Sequence, residues 1–413
     1  MIGVSNERGL EVSSRSTSAN IARYIEVRKD WFAYNPMRIN VGSIGLADDD
    51  SKTGYTSPDY TVFSCKDGLL PKYLLRFLKS EYGLEAVARH SSGAVRKRLY
   101  YSGLSEIELE IPSIEEQKNL ISRFQTAERA AGFILNENSD AIEIPLLRQA
   151  ILQAAIQGEL TVDWRAENSN VEDATELIKR IQAEKARLIA EKAIRRGKRQ
   201  ESIGDPRVEL SIPPDWGFPE LDDITMLITD GTHQTPSYTD KGRPFLSAQN
   251  VKPFRFMPEK HRFVSEEAFV EYRKNRTPVK GDLLLGRVGS VGETAVIDQD
   301  IEFAFYVSLG LVKVFPQFNN SDFLTIVFNS PYGIKYAKGN TSSKGASAGN
   351  FNLGRIRSFP IPFPSLEEQA AIVERVKALM ATCRELEAEI ERSRNHAADL
   401  LQAVLKEAFA PAS

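Results

Sequence analysis

Two stretches, IPSIEEQKNLISRF at Ile111–Phe124 and FPSLEEQAAIVERV at Phe363–Val376, are variants of one text placed 252 residues apart. Both read Pro-Ser-apolar-Glu-Glu-Gln and continue as a helical pattern ending in Arg-apolar. The match extends in both directions. YLLRFLKSEYGL from Tyr73 parallels FLTIVFNSPYGI from Phe323 at an offset of 250. VGSIG from Val41 parallels VGSVG from Val288 at 247, and ILQAAI from Ile151 parallels LLQAVL from Leu400 at 249. Four blocks in one order with nearly constant offsets predict a duplicated chain, a pseudo-two-fold internal repeat.

The quoted stretches open helices. Ser365 can accept hydrogen bonds from free first-turn amides, and Glu368 three residues on completes a capping box; Ser113 and Glu116 repeat the device. No Pro or Gly interrupts residues 365–409, which predicts one helix of about 45 residues, roughly 67 Å long. Val373, Val376, Met380, Cys383, Ile390, Ala397, Leu401 and Val404 form an apolar seam at three-to-four spacing, interrupted by Glu387 and Arg394. Its expected partner is a first-copy helix from Ser113 to about Leu160, carrying Leu120, Phe124, Ile134, Leu147, Ile151 and Ile156, with a kink or break at Pro145.

Upstream of each helical part lies a mixed segment. Short apolar and aromatic runs such as RYIEV, WFAYN, YTVFS, GDLLLGRVGSVGETAVI and FYVSLGLVKVF, punctuated by Gly, Pro, Asn and Asp, predict strands and turns. The predicted class is therefore α+β, with two α/β domains separated by a long antiparallel two-helix coiled-coil spacer. The boundaries are 1–112 for the first mixed domain and 113–200 for the first helical region with a charged connecting helix. They are 201–363 for the second mixed domain, entered through the linker GDPRVELSIPPDW, and 364–413 for the second helical region.

Composition narrows the function classes. Of 413 residues 42% are hydrophobic and 26% charged, enough for two or three domains with cores. There is no apolar run long enough for a membrane span and no secretory leader pattern at MIGVSNERGL. Cys65 and Cys383 are isolated, and His90, His233, His261 and His396 are scattered, so neither a disulfide framework nor a metal cluster is expected. A reducing cytoplasm fits these features. The net charge of −3 gives nucleic-acid binding no support by itself, so any such role rests on local patches.

With mixed domains placed before the two P-S-x-E-E-Q helices, the chain resembles the DNA-specificity subunits of type I restriction–modification systems over nearly its whole length. IPPDWGFPELDDI, the G-D-L-L at Gly281–Leu284, NPMRINVGSIGL from Asn35, and LRQAILQAAIQGELT followed by Asp163-Trp164 carry the resemblance. It implies two target-recognition domains, each reading half of a bipartite double-stranded DNA site. Their helices dock methyltransferase subunits, expected as two copies, and a restriction subunit joins the complex. It implies no cofactor on this chain; S-adenosylmethionine, ATP and Mg belong to partners. One departure stands out. If Asn6 matches Asn250, the first domain has no counterpart to about Pro213–Arg243, and a lost edge strand or a damaged first DNA surface is expected.

Base reading needs Arg, Lys, Asn and Gln side chains at the grooves. The candidates in the first half are Asn35, Arg38, Asn40, His90, Arg96, Lys97 and Arg98. In the second half they are Thr232, His233, Gln234, Arg287, Lys338, Lys344, Asn350 and Arg355. Glu115, Glu116, Gln117, Glu367, Glu368 and Gln369 on the repeated helices are the candidates for partner docking. For each loop residue the alternative is a solvated surface position. Catalysis by the chain alone is disfavoured. NPMR only superficially resembles an adenine-methyltransferase motif, no phosphate-binding GxxxxGK[ST] occurs, and Glu293 near Asp282 is followed by Thr-Ala rather than x-Lys. The alternative function is a DNA-binding-deficient or purely structural coiled-coil adaptor derived from such a subunit.

Overall fold

A computed structural model describes residues 1–5, 9–12, 23–93, 97–135, 138–201, 210–274, 276–342 and 349–409. The chain divides into two compact units, Met1–Asp140 with Ala388–Ser413, and Ala141–Glu387.

In the first unit, Trp31–Tyr34 is the middle strand of a three-stranded antiparallel sheet, flanked by Ile44–Leu46 and Thr61–Ser64. Two further antiparallel pairs join Ile2–Ser5 to Gly9–Val12 and Ile25–Val27 to Gly54–Thr56. Phe32, Tyr34, Ile44, Phe77, Val87 and Leu99 form the largest part of its core. Phe409, from the last turn of the chain's final helix, packs on the edge of that cluster.

The second unit is larger. Its main sheet is antiparallel and four-stranded, in the order Thr294–Val296, Leu283–Gly286, Leu309–Val314, Thr225–Asp230. Leu283, Leu284 and Leu285 are all fully buried, which explains why GDLLLG reads as an unbroken apolar run rather than an alternating one. A second sheet places Arg243–Leu246 between Arg262–Val264 and Ala304–Phe305, the latter pair parallel. Among the described residues the first unit's central sheet has three strands, and the strand it lacks relative to the second is the equivalent of Thr225–Asp230.

Each unit then carries a bent pair of helices, Pro71–Lys79 with Glu81–Arg89, and Ser321–Asn329 with Pro331–Gly339. The bend explains the repeated Ser-x-Tyr-Gly. Ser80 Oγ accepts from Gly83 N–H at 3.2 Å and donates to Phe77 O at 2.7 Å. Ser330 does the same with Gly333 and Val327 at the same distances. A Cβ on Gly83 would lie 1.9 Å from Phe77 O, and one on Gly333 2.3 Å from Val327 O, so both turns require glycine.

The expected first-copy helix is two helices, Ile114–Leu135 and Asn138–Ile156; residues 136 and 137, and 202–209 of the expected linker, lie outside the described residues. Pro145 lies inside the second helix and does not end it, contrary to the break anticipated there. The final helix, Leu366–Phe409, is continuous over 44 residues. Val373, Val376, Cys383 and Ala397 of its seam are buried, and Met380, Ile390, Leu401 and Val404 half-buried. Within the second unit this helix runs antiparallel to the preceding helical segment: Arg148 pairs with Glu387 at 2.7 Å and Asp163 with Arg375 at 2.6 Å. Within the first unit Arg123 pairs with Glu407 at 2.9 Å. Among the described residues no helix is long and apolar enough to cross a membrane.

Candidate nucleic-acid interface

In the second unit the loop after Thr225–Asp230 is clamped to the neighbouring strand. Thr232 N–H donates to Phe305 O, and Val307 N–H donates to Thr232 O, both at 3.0 Å. Gly231 is required here, because a Cβ would meet Phe305 O at 2.1 Å. Thr232 is buried and its hydroxyl accepts from Gln234 N–H at 3.2 Å, which turns His233 and Gln234 outward. His233 Nε2 lies 3.1 Å from Asp230 Oδ2.

Asp230 also takes Arg287, and this corrects an expectation. Arg287 was read as an exposed DNA contact, but it is only 4% exposed. Its Nη1 donates to the Asp230 carboxylate and to Val307 O, and its Nε to Phe351 O at 3.0 Å. Burial pushes the guanidinium pKa down while Asp230 opposes the shift. Arg287 therefore organises the loops from beneath. Asn350 is exposed above it, with Oδ1 3.5 Å from Arg287 Nη2. Arg355 donates to Asn340 O at 3.1 Å, and Lys338 is exposed at the end of the same helix. Two residues missed by sequence reading join the cluster. Arg276 Nη1 lies 3.5 Å from Asp230 O, and Arg357 Nη2 donates to Ile228 O at 2.6 Å. The cation run around Arg273–Lys274 signalled the first; nothing local marked the second.

The first unit builds a comparable cluster. Leu99 N–H donates to Pro36 O at 3.0 Å, which brings Lys97 and Arg98 beside Asn35 and Arg38. The second unit repeats this bond as Phe351 N–H to Arg287 O, also at 3.0 Å. The next carbonyl is held differently: Leu99 O accepts from Tyr34 Oη at 3.1 Å, whereas Phe351 O accepts from Arg287. Asn35 Oδ1 accepts from Met37 N–H at 3.0 Å, so its amide serves the turn as well. Arg38, Asn40, Lys97 and Arg98 are exposed. His90 faces Glu106 at 3.5 Å. Arg96 and Lys344 lie outside the described residues.

The Glu-Glu-Gln triplets divide by burial. Glu115, Glu116 and Glu367 are exposed. Gln117 and Gln369 are fully buried, so they cannot serve as docking contacts. Gln117 Oε1 accepts from Leu70 N–H at 2.8 Å and Nε2 donates to Pro112 O at 2.9 Å. Gln369 makes the corresponding bonds to Asn320 N–H at 2.9 Å and Pro364 O at 3.1 Å. Glu368 is likewise buried, accepting from Thr161 at 2.7 Å, Arg165 at 2.6 Å and Trp216 Nε1 at 2.9 Å.

Two α/β units, each raising a cluster of cationic and amide loops and each tied by a buried glutamine to a long helix, define a modular recognition protein. The model of the "Type I restriction modification DNA specificity domain" matches residues 18–143 and 213–393, and the chain belongs to that family. It is 27% identical over 257 residues to the type I restriction enzyme EcoAI specificity subunit of Escherichia coli, covering 60% of this chain and 41% of the relative. It is 23% identical over 335 residues to the EcoBI specificity subunit of Escherichia coli, with coverages of 79% and 62%. The chain thus spans less than two thirds of these relatives' length. In fold it is similar to a chain solved in work on "complex assembly" and "conformational transition of the type I R-M system", with a TM-score of 0.67 at 14% identity over 95% of this chain and 85% of that one. The HsdS subunit from Thermoanaerobacter tengcongensis gives a TM-score of 0.51 at 15% identity over 94% and 82%.

Proposed function

We propose that this chain is the DNA-reading subunit of a type I restriction–modification complex and performs no chemistry itself. The two mixed domains, within 1–112 and 201–363, each read half of a bipartite site in double-stranded DNA. The observation that carries this reading is the loop-to-loop bond, Leu99 to Pro36 and Phe351 to Arg287, which assembles a cationic, amide-bearing cluster at the same place in both units. Matching local devices at Ser80 and Ser330, and at Gln117 and Gln369, support an internal pseudo-repeat. The antiparallel helices act as a coiled-coil spacer, whose length fixes the separation of the half-sites.

The exposed first-turn acids Glu115, Glu116 and Glu367 mark the surfaces on which two copies of a methyltransferase subunit dock, because a repeated surface takes a repeated partner. A restriction subunit completes the assembly. S-adenosylmethionine, ATP and Mg act on those partners, in the cytoplasm. The test is to map methylated adenines in a genome expressing the chain with its methyltransferase. A bipartite motif with a constant gap is the expected result; a single contiguous motif, or no methylation, would refute the two-reader arrangement.

A further inference from the structure

A groove that is filled in the second unit is open in the first. In the second unit Gly217 and Phe363 exchange backbone hydrogen bonds of 2.9 Å, Ile361 N–H donates to Pro219 O at 2.8 Å, and Leu221 N–H donates to Phe359 O at 2.8 Å. The segment PPDWGFPEL, residues 213–221, therefore lies as an added strand along residues 359–363. Trp216 meets Phe323 edge-on at 6.5 Å and donates its indole N–H to Glu368, and Phe218 meets Tyr332 edge-on at 6.5 Å.

The offsets of 250 and 252 map this framework onto the first unit: residues 359–363 onto 107–111, Phe323 onto Tyr73, Tyr332 onto Tyr82, and Glu368 onto Glu116. Gln117 and Gln369, adjacent to the two glutamates, make the same contacts, so the frameworks correspond. In the first unit Tyr73, Tyr82, Glu110, Ile111, Glu116 and Arg123 line a cavity of about 850 Å³. Ile111 is 55% exposed, where Phe363 is 0% exposed. Among the described residues the N–H groups of Leu109 and Ile111 have no hydrogen-bond partner, whereas those of Ile361 and Phe363 are paired. Phe409 covers Tyr73 at 5.3 Å from the inner side and leaves this edge open. Glu116 Oε2 is taken by Ser113 N–H and Oγ at 2.9 and 2.6 Å, and Oε1 remains for an incoming donor.

We propose that the Ile107–Ile111 edge and its groove bind an extended Trp-Gly-Phe-Pro-x-Leu segment of a separate polypeptide by strand addition, with the indole N–H on Glu116 and the Phe ring on Tyr82. Unpaired backbone gives such a site its affinity, and the aromatic pockets on alternate residues give it selectivity. The chemistry of the occupant is set by the segment that already fills the equivalent groove.

The test is a fluorescein-labelled peptide with the sequence of residues 213–221, titrated into the full chain and followed by anisotropy and by amide deuterium exchange. Expected are saturable one-to-one binding and slowed exchange at Leu109 and Ile111. Glu116→Gln should weaken binding about tenfold, the loss of one hydrogen bond to a charged acceptor. A Trp→Ala peptide, or one with N-methylglycine in place of its glycine, should fail to bind. An unchanged denaturation midpoint of Glu116→Gln separates the contact from helix capping. Absence of saturable binding, binding indifferent to these changes, or changed exchange at Ile361 and Phe363 instead would overturn the proposal. So would a dimer of the chain in which Leu109 and Ile111 are already protected.

Discussion

Arg287 and Asp230 form a buried ion pair whose arginine also holds the carbonyls of Phe351 and Val307. Removing one partner of such a pair strands the other charge out of water. Arg287→Ala is expected to destabilise the second unit by about 3–5 kcal/mol. Arg287→Lys should recover only part of this, because an ammonium cannot span the same fork of acceptors. Denaturant midpoints check both; a midpoint unchanged in Arg287→Ala would show that the pair contributes nothing.

Exposed members of the loop clusters should behave in the opposite way. His233→Ala, Gln234→Ala, Arg38→Ala and Lys97→Ala should each leave stability within about 0.5 kcal/mol. In the complex with its methyltransferase partner, Arg38→Ala and Lys97→Ala should each reduce the slope of log affinity against log salt by about 0.9 if they meet phosphates. Filter binding between roughly 50 and 200 mM salt reads this directly. Slopes equal to wild type would remove these residues from the interface.

Gln117→Ala and Gln369→Ala each leave a buried N–H and at least one carbonyl without a partner. The expected cost is about 1–3 kcal/mol for each, in the unit that carries the substitution. Gln→Glu at either position keeps the acceptor and loses the amide donor, so it should fall between wild type and alanine. Denaturation of single and double variants should be additive, since the two glutamines serve separate units.

Asp163 supplies a pH test. Its hydrogen bonds to Arg375 hold its carboxyl at about 2, below the ordinary 3.8. The folded value is depressed, so the stabilisation is present above the unfolded value and is lost as pH falls towards about 2. The thermal midpoints of wild type and Asp163→Asn should therefore differ at neutral pH and converge across that acid window. A difference that stays constant through it would rule out this linkage.

The helices were the most legible part of the fold. Uninterrupted periodicity predicted 365–409, and the observed helix is Leu366–Phe409. Ser-x-Tyr-Gly was visible as a repeat, but its reason, a glycine forced against the carbonyl four to six residues back, is a packing fact. The candidate site was legible as a set of loops and illegible in its interior. Arg287 looks exposed in GRVGSVG because the carboxylate that buries it lies 57 residues away. Glu-Glu-Gln likewise reads as one polar surface, yet Gln117 is drawn inward by Leu70, 47 residues upstream. Local text reports which residues can leave water; only their distant partners decide which do.

Because the helix Leu366–Phe409 gives its residues through Glu387 to the second unit and the remainder to the first, the units are completed out of order during synthesis. The first unit's aromatic cluster emerges early and waits for Phe409, the last ring to pack against it. At about 5–20 residues per second the ribosome leaves that cluster unfinished for on the order of tens of seconds. The nascent chain must keep an incomplete core from associating throughout that interval, while the later-made unit closes first.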